Sequence, residues 1–329
     1  MGSVALAAVL LWLSVRHADF SRLRDTLAGA DWRWIVPIAV VTIGSHALRA
    51  WRWTLLLDTL PDAQPDQPRA GFWLAFGATM IGYLVNTAIP RGGEVARAGN
   101  VAARTSAGFP AVMGTVVVER VIDVLTLALA LLTLPLLFGN RLNAIRASVE
   151  RGVAGILPHG PALWVAIAVG GIALLLAAAL LLRRRGAGGG KVAGLLRGFR
   201  DGLVSLARVR RRGALVASTA GIWACYVLMS DFPLRMLGIH HEYGLTLLDA
   251  WGVMNIGAVG MAMPAPGGTG SYHFAVVQAL GLLSGVPETP AAAFALLTHG
   301  AQLALFAVAG VAALLIQGAG MARRPPPAE

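Results

Sequence analysis

Long apolar runs separated by short polar breaks fill the chain, at about residues 2–15, 34–57, 71–90, 107–138, 161–182, 213–237, 244–263, 270–284 and 291–317. Runs near 20 residues match a hydrocarbon core about 30 Å thick. The pattern predicts an all-α fold, a polytopic transmembrane helical bundle. Two runs, 2–15 and 270–284, are short for an upright span at ~1.5 Å per residue. Two others end in the clusters Ile89-Pro90-Arg91-Gly92-Gly93-Glu94 and Met263-Pro264-Ala265-Pro266-Gly267-Gly268-Thr269-Gly270. Proline disfavours helix at the residue before it and Gly-Gly favours an irregular turn, so each cluster is expected to interrupt a helix.

The clusters occupy corresponding places in two halves, 1–140 and 161–317. Each half has two spans, an interrupted pair and one long closing span. If each pair dips in and returns on the same side, a half has three true crossings and the second half must be inverted. Both termini are then cytoplasmic, and the broken helices meet near the midplane as in many transporters. The alternative is that every interrupted segment spans. Arg16, Arg22, Arg24 and Arg33 compete with Arg49, Arg52 and Arg69 for the inside, so charge does not decide. The inverted repeat with re-entrant pairs is the favoured reading, within one embedded domain covering 1–329.

Composition sharpens this picture. The chain is 57% hydrophobic and 13% charged, with a mean hydropathy of +0.68. Its longest polar stretch, Arg183 to Gly213, has too few bulky apolar residues for a soluble core. The net charge of +11 belongs to loops beside spans, where anionic headgroups rather than nucleic acid are the natural partner. Arg183 to Arg212 holds ten basic residues against Asp201 alone and is expected in the cytoplasm. Within it Val192, Leu195, Leu196, Phe199, Leu203 and Leu206 recur at helical spacing, predicting an amphipathic helix on the inner leaflet. Gly186 to Gly190 leave a disordered basic loop as the alternative. Residues 1–15 lack a basic segment before their apolar stretch and read as a first helix, not a signal peptide. The single cysteine, Cys225, excludes an intrachain disulfide and a cysteine zinc site.

Charge inside a span costs roughly 2.5 kcal/mol or more per residue, so ionisable residues there mark function or a paired network. Arg91, Glu94, Arg97, Glu119, Arg120 and Asp123 form such a set, three positive and three negative. A helix starting after Pro90 would offer its dipole and the N–H groups of Gly92 and Gly93 to a phosphate, with Arg91 and Arg97 adding charge and Glu94 holding the place when empty. Glu119 and Asp123 share a face, and Arg120 can pair with Asp123. A capped interfacial turn and a structural ion-pair network are the competing readings. The second cluster has no acid or arginine: Gly267, Gly268, Ser271, Tyr272, His273, Gln278, His299 and Gln302 are its polar or turn-forming members. Its histidines would suit proton coupling or headgroup binding, or simply packing. Arg49, Trp51, Arg52 and Trp53 read as an interfacial anchor. His240-His241-Glu242 lacks zinc spacing, and no HExxH or nucleotide-binding P-loop occurs, so neither metal nor cofactor is expected.

Taken in order, Arg52-Trp53, the Pro90 to Glu94 cluster with Arg97, Glu119-Arg120 with Asp123, and the Pro264 to Gly270 cluster resemble the flippase-like family named for the transmembrane domain of lysylphosphatidylglycerol synthase, which includes UPF0104-type membrane proteins. The resemblance covers nearly the whole chain. It implies a membrane domain that moves lipids or lipid-linked glycans between leaflets. The sequence runs out at Arg323-Arg324 and a Pro-rich tail, so the aminoacyl-transfer activity of fused relatives is not expected. Where many relatives carry Glu after the second turn and Arg on the last span, His273 and His299 stand here, which points to a variant subfamily.

The expectation is therefore a non-enzymatic translocase of a bacterial inner membrane, handling an anionic phospholipid or polyprenyl-phosphate-linked lipid. Its expected partners are membrane lipids and a membrane-associated glycosyltransferase or lipid synthase. The alternatives are an intramembrane lipid-modifying enzyme using Glu119 or His273, and a non-catalytic subunit recruiting a glycosyltransferase through 183–212.

Overall fold

A computed structural model of the protein describes residues 2–60, 69–89, 91–153, 191–263 and 265–322. The run expected to span at 161–182 and the Gly-rich start of the basic loop lie outside them. Among the described residues the structure is all helical. The helices are α1 (Gly2–Val15), α2 (Phe20–Ala28), α3 (Ile35–Leu57), α4 (Phe72–Ala88), α5 (Gly92–Ala102), α6 (Phe109–Val153), α7 (Lys191–Arg208), α8 (Arg212–Met236), α9 (Ile239–Glu242), α10 (Leu247–Ala262), α11 (Ser271–Ser284) and α12 (Glu288–Ala322).

Four helical segments are long and apolar enough to cross a bilayer: Trp32–Leu57, Phe109–Gly139, Arg212–Met236 and Glu288–Gly318. At ~1.5 Å per residue each exceeds the roughly 30 Å hydrocarbon thickness. The protein is a multi-pass membrane protein. In α6, Pro135 removes one helical hydrogen bond and Phe138 departs from helical geometry (φ −119°, ψ 16°), so the apolar run bends there.

The described chain divides into two compact units. The first comprises Met1–Leu55, Ala70–Arg104 and Arg211–Glu329. Its core is apolar, with Leu234, Ile239, Ala250, Val276, Leu280 and Phe294 buried from five helices. Helix entry points are fixed by side-chain caps: Asp19 accepts from the Ser21 and Arg22 N–H groups at α2, and Thr246 with Asp249 forms a reciprocal capping box at α10. Asp249 also accepts from the Ser284 hydroxyl (2.9 Å), tying the start of α10 to the end of α11.

Two helical hairpins in this unit close on small residues. Between α4 and α5, a side chain at Gly93 would fall on the Gly82 carbonyl oxygen, and one at Gly82 would come within 2.9 Å of the Gly93 oxygen. Between α10 and α11, a Cβ at Gly260 would lie 2.7 Å from both the Ser271 oxygen and the Ala275 Cβ. Backbones approach this closely only where side chains are absent, as in membrane helix pairs generally. Gly77 and Gly310 let α12 pack on α4, against Met80, Ile81 and Leu84.

The second unit comprises Leu56–Arg69 and Thr105–Arg210. Here the basic segment does form a helix, α7, which packs against α6 through Gly202 and Gly198 facing Gly114 and Ala111. The apolar spacing predicted that helix. The glycines four apart give it a protein partner that the amphipathic pattern did not announce.

Candidate functional site

The first Pro/Gly cluster folds as a turn between α4 and α5. Arg91 occupies the left-handed region (φ 63°, ψ 5°), the only non-glycine residue with positive φ among the described residues. Left-handed backbone costs an ordinary side chain roughly 1–2 kcal/mol. The turn nevertheless keeps an arginine there, beside two glycines. Its guanidinium is exposed, and Nη2 donates to the Ala262 carbonyl at 3.4 Å. Ala262 ends α10, so a cation sits at the negative end of that helix.

The N–H groups of the turn have internal partners. Gly92 N donates to the Ile89 oxygen (3.0 Å) and Gly93 N to Asn86 Oδ1 (2.8 Å). The glycines therefore serve close helix packing, and the positive character of the turn rests on Arg91 and the α5 dipole. Glu94 is half-buried in the first turn of α5, and Arg97 follows one turn later with 3% of its surface exposed.

Arg97 stacks over Trp53, its guanidinium carbon 4.7 Å from the ring centroid. Trp53 and Arg52 are fully buried and Arg49 nearly so, while Trp51 is exposed. Arg49 donates to the Tyr226 hydroxyl (2.8 Å) and Arg52 to Thr219 Oγ1 (3.3 Å), both on α8. The expected interfacial anchor is thus replaced by a buried cationic stripe on α3. His46, one turn earlier, packs between the rings of Tyr83 (4.8 Å) and Phe306 (5.4 Å). The pairing of Arg49 and Arg52 with Trp51 and Trp53 points to headgroup depth in the sequence, and only the fold shows the arginines and Trp53 turned inward.

The residues of the second group lie on α6, in the other unit. Glu119 is fully buried, and Arg120 pairs with Asp123 one turn on (Nη1 to Oδ2, 3.7 Å). That pairing is the one the spacing indicated.

The second Pro/Gly cluster forms a short 3-10 turn, Pro266–Gly268, with Gly267, Gly268 and Gly270 all at positive φ. Here glycine is used for its freedom. The turn packs against the C-terminal end of α4, just before the first turn: a Cβ at Gly267 would lie 3.7 Å from the Cα of Thr87 and 3.5 Å from Leu303 of α12. The backbone of Gly270 abuts Ala7 and Leu11 of α1.

Polar side chains gather behind this turn. Gly270 N donates to His273 Nδ1 (3.3 Å), so His273 fills the reciprocal capping position that Glu or Gln usually holds. An acceptor Nδ1 requires the neutral ring. His299 Nε2 lies 3.4 Å from Thr269 Oγ1, and its ring meets those of His273 (4.8 Å) and Tyr272 (5.4 Å, stacked). The Tyr272 hydroxyl bonds Thr298 Oγ1 at 3.0 Å. His273 and His299 are buried, whereas Thr269, Tyr272, Thr298 and Gln302 are half-exposed. Gln278 is exposed. Thr269 stands in the glycine turn and Thr298 in an apolar helix, and a lone threonine in either place carries no sequence signal of its own. No group of three or more metal-ligating side chains occurs among the described residues.

Comparison with known proteins gives this arrangement a context. A glycosyltransferase of Haloferax volcanii, AglD, is 27% identical over 343 aligned residues, covering 96% of this chain and 54% of the relative. The chain thus spans about half the length of that curated relative. The relative's name overturns the expectation of a non-enzymatic protein, which is withdrawn. No solved structure matches. The family model for the lysylphosphatidylglycerol synthase transmembrane region matches residues 1–310, and the chain belongs to that family.

Proposed function

We propose that this protein moves a phosphate-bearing lipid across the membrane, with Arg91 as its first contact and the two facing glycine turns as the gate through which the headgroup passes. The observation that carries the reading is Arg91: a strained, exposed arginine placed where the two turns meet. Strained backbone tends to be retained at functional positions. Arg97 and Glu94 follow Arg91 on α5 as a cation for phosphate and an acid to balance it, and on α6 Arg120, with Asp123 and Glu119 as its balancing acids, is a second candidate cation for phosphate. The lengths of the hairpin helices support re-entrant pairs. At ~1.5 Å per residue, α4 reaches about 26 Å and α11 about 21 Å, both short of the roughly 30 Å core. Two such hairpins, each closed on glycine, suit inverted halves with turns inside the membrane.

The named relative favours a second reading in which the translocated lipid is one that glycosyl transfer uses or makes, so that the membrane domain takes part in an enzymatic process. Both readings share the phosphate site. Reconstituted in liposomes, the protein should accelerate the movement of a fluorescent anionic lipid between leaflets, read by reduction of the outer-leaflet dye. Loss of one charge-assisted contact, about 1.5–3 kcal/mol, should slow that movement about tenfold or more in Arg91→Gly and Arg120→Ala. Unchanged rates in both folded variants would remove the assignment.

A further inference from the structure

The cap of α11 is a hydrogen bond that only one protonation state of its histidine allows. A backbone amide can only donate, so the bond from Gly270 N (3.3 Å) fixes His273 Nδ1 as an acceptor and the ring as neutral. Glutamine, a usual residue at this position, would accept the same bond at any pH. Histidine loses the acceptor as soon as Nδ1 takes a proton.

The surroundings do not hold a charged ring in place. Because α11 begins at Ser271, its dipole puts positive potential on the first turn, where His273 sits. Helices α1, α4, α10 and α12 pack around this turn and its helix. α1 carries no ionisable side chain, and Tyr83 of α4 lies against His46 and Phe306. The acids of α10 and α12 are engaged at the other end of the helices: Asp249 accepts from Thr246 and Ser284, and Glu288 from the N–H of His17. Arg91, bonded to the Ala262 oxygen at the end of α10, adds a positive charge. What faces His273 is Tyr272 beside it and His299 of α12.

His299 supplies a second position for the proton. Its ring is buried and 4.8 Å from that of His273, and its Nδ1 makes no hydrogen bond among the described residues although it is out of reach of solvent. With Nδ1 as an acceptor, Nε2 donates to Thr269 Oγ1 (3.4 Å), so two helices grip adjacent residues of one turn through their histidines. A buried acceptor without a donor is costly, and the N–H of a protonated neighbour would satisfy it. We infer that His273 and His299 form a one-proton switch: a proton taken up on His273 Nδ1 turns that N–H from the Gly270 amide to His299 Nδ1, uncaps α11 and loosens the second glycine turn. Two imidazolium rings in contact would repel, so the pair holds one proton. The turn packs on Thr87 and Leu303, and Gly270 abuts α1, so its loosening reaches three helices. The switch stands on this geometry; that it admits lipid rests on the transport reading above.

Backbone hydrogen–deuterium exchange of the full chain in detergent, read by mass spectrometry over residues 265–276 and corrected for the intrinsic pH dependence of exchange, tests the switch. Exchange should be about fivefold faster at about pH 5 than at about pH 8, the range in which histidine titrates and the ratio expected when a cap worth about 1 kcal/mol is lost. His273→Gln keeps the cap without a titrating group and should exchange slowly at both. His273→Ala should exchange quickly at both, and His299→Phe, which keeps a ring but removes the acceptor, should lose most of the rise. A flat profile in the parent would overturn the inference, and so would a full rise in His273→Gln or His299→Phe. In liposomes the parent should move anionic lipid faster at the acid end and His273→Gln should not. The exchange pattern intact with no lipid movement at either pH would overturn the transport reading alone.

Discussion

Arg97 and Trp53 form a buried cation–π pair, with the guanidinium carbon 4.7 Å from the indole centroid. The pair joins α5, the helix that follows the first glycine turn, to α3. A desolvated cation–π contact contributes about 2 kcal/mol, and tryptophan is the best aromatic partner for it. Trp53→Phe keeps an aromatic core residue but weakens the contact, and should lower stability by about 1–2 kcal/mol. Trp53→Ala also opens a cavity and should cost about 3–5 kcal/mol. Thermal unfolding in detergent, followed by size-exclusion fluorescence, checks the order: Trp53→Phe between the parent and Trp53→Ala.

This pair also shows where the sequence could be read and where it could not. Hydropathy located all four long spans, because a 20-residue apolar run has few other uses in a folded protein. Proline and glycine located both turns for the same local reason. The spacing of Arg120 and Asp123 gave their pairing, since one helical turn fixes it. The neighbour of Arg97 lies more than 40 residues away on another helix, and no local rule selects Trp53 over Trp51. Likewise the cap made by His273 and the hydroxyls of Thr269 and Thr298 become a site only when a turn and two helices are folded together.

The α4–α5 hairpin depends on the absence of side chains at its crossing. A methyl group at Gly93 would overlap the Gly82 carbonyl and the Asn86 side chain, and backbone on both sides cannot yield cheaply. Gly93→Ala should therefore lose several kcal/mol, as overpacked sites do, with a fall in the monodisperse fraction on purification. Gly99 lies on the same helix with nothing within 4 Å of the added atom. Gly99→Ala should be neutral or stabilise by up to about 1 kcal/mol through helix propensity alone. Equal behaviour of the two variants would show that the crossing is not closed on Gly93.

Asp19 gives the fold a defined acid limb. Its carboxylate caps α2, accepting from the Ser21 hydroxyl (2.6 Å) and from the backbone N–H groups of Ser21 and Arg22. The Ser21 hydroxyl bond, followed by the Arg22 N–H, holds its pKa below the ordinary value of 3.8. A depressed folded pKa means the charged cap stabilises fully above that ordinary value, and the contribution disappears as pH falls through the lower folded value. Asp19→Asn keeps an N-cap side chain but cannot titrate. Its melting temperature should therefore drop less than that of the parent between neutral pH and pH values below 3.8. Identical acid limbs would show that the cap does not carry the dependence.

The strain at Arg91 separates what this residue does for the fold from what it does for lipid. Its backbone holds φ at +63°, where glycine sits without penalty and an L side chain costs roughly 1–2 kcal/mol. The hydrogen bond of its side chain to the Ala262 oxygen is long at 3.4 Å and exposed, so removing it costs a few tenths of a kcal/mol against a typical net value near 1. Arg91→Gly should thus raise stability by about 1 kcal/mol, and Arg91→Ala, which keeps the strain and loses the contact, should lower it slightly. Melting curves of the three proteins in one detergent decide the order. A folded, more stable Arg91→Gly protein that moves anionic lipid about tenfold more slowly would place the arginine in function at the expense of stability, the trade seen where a strained residue is retained for its chemistry.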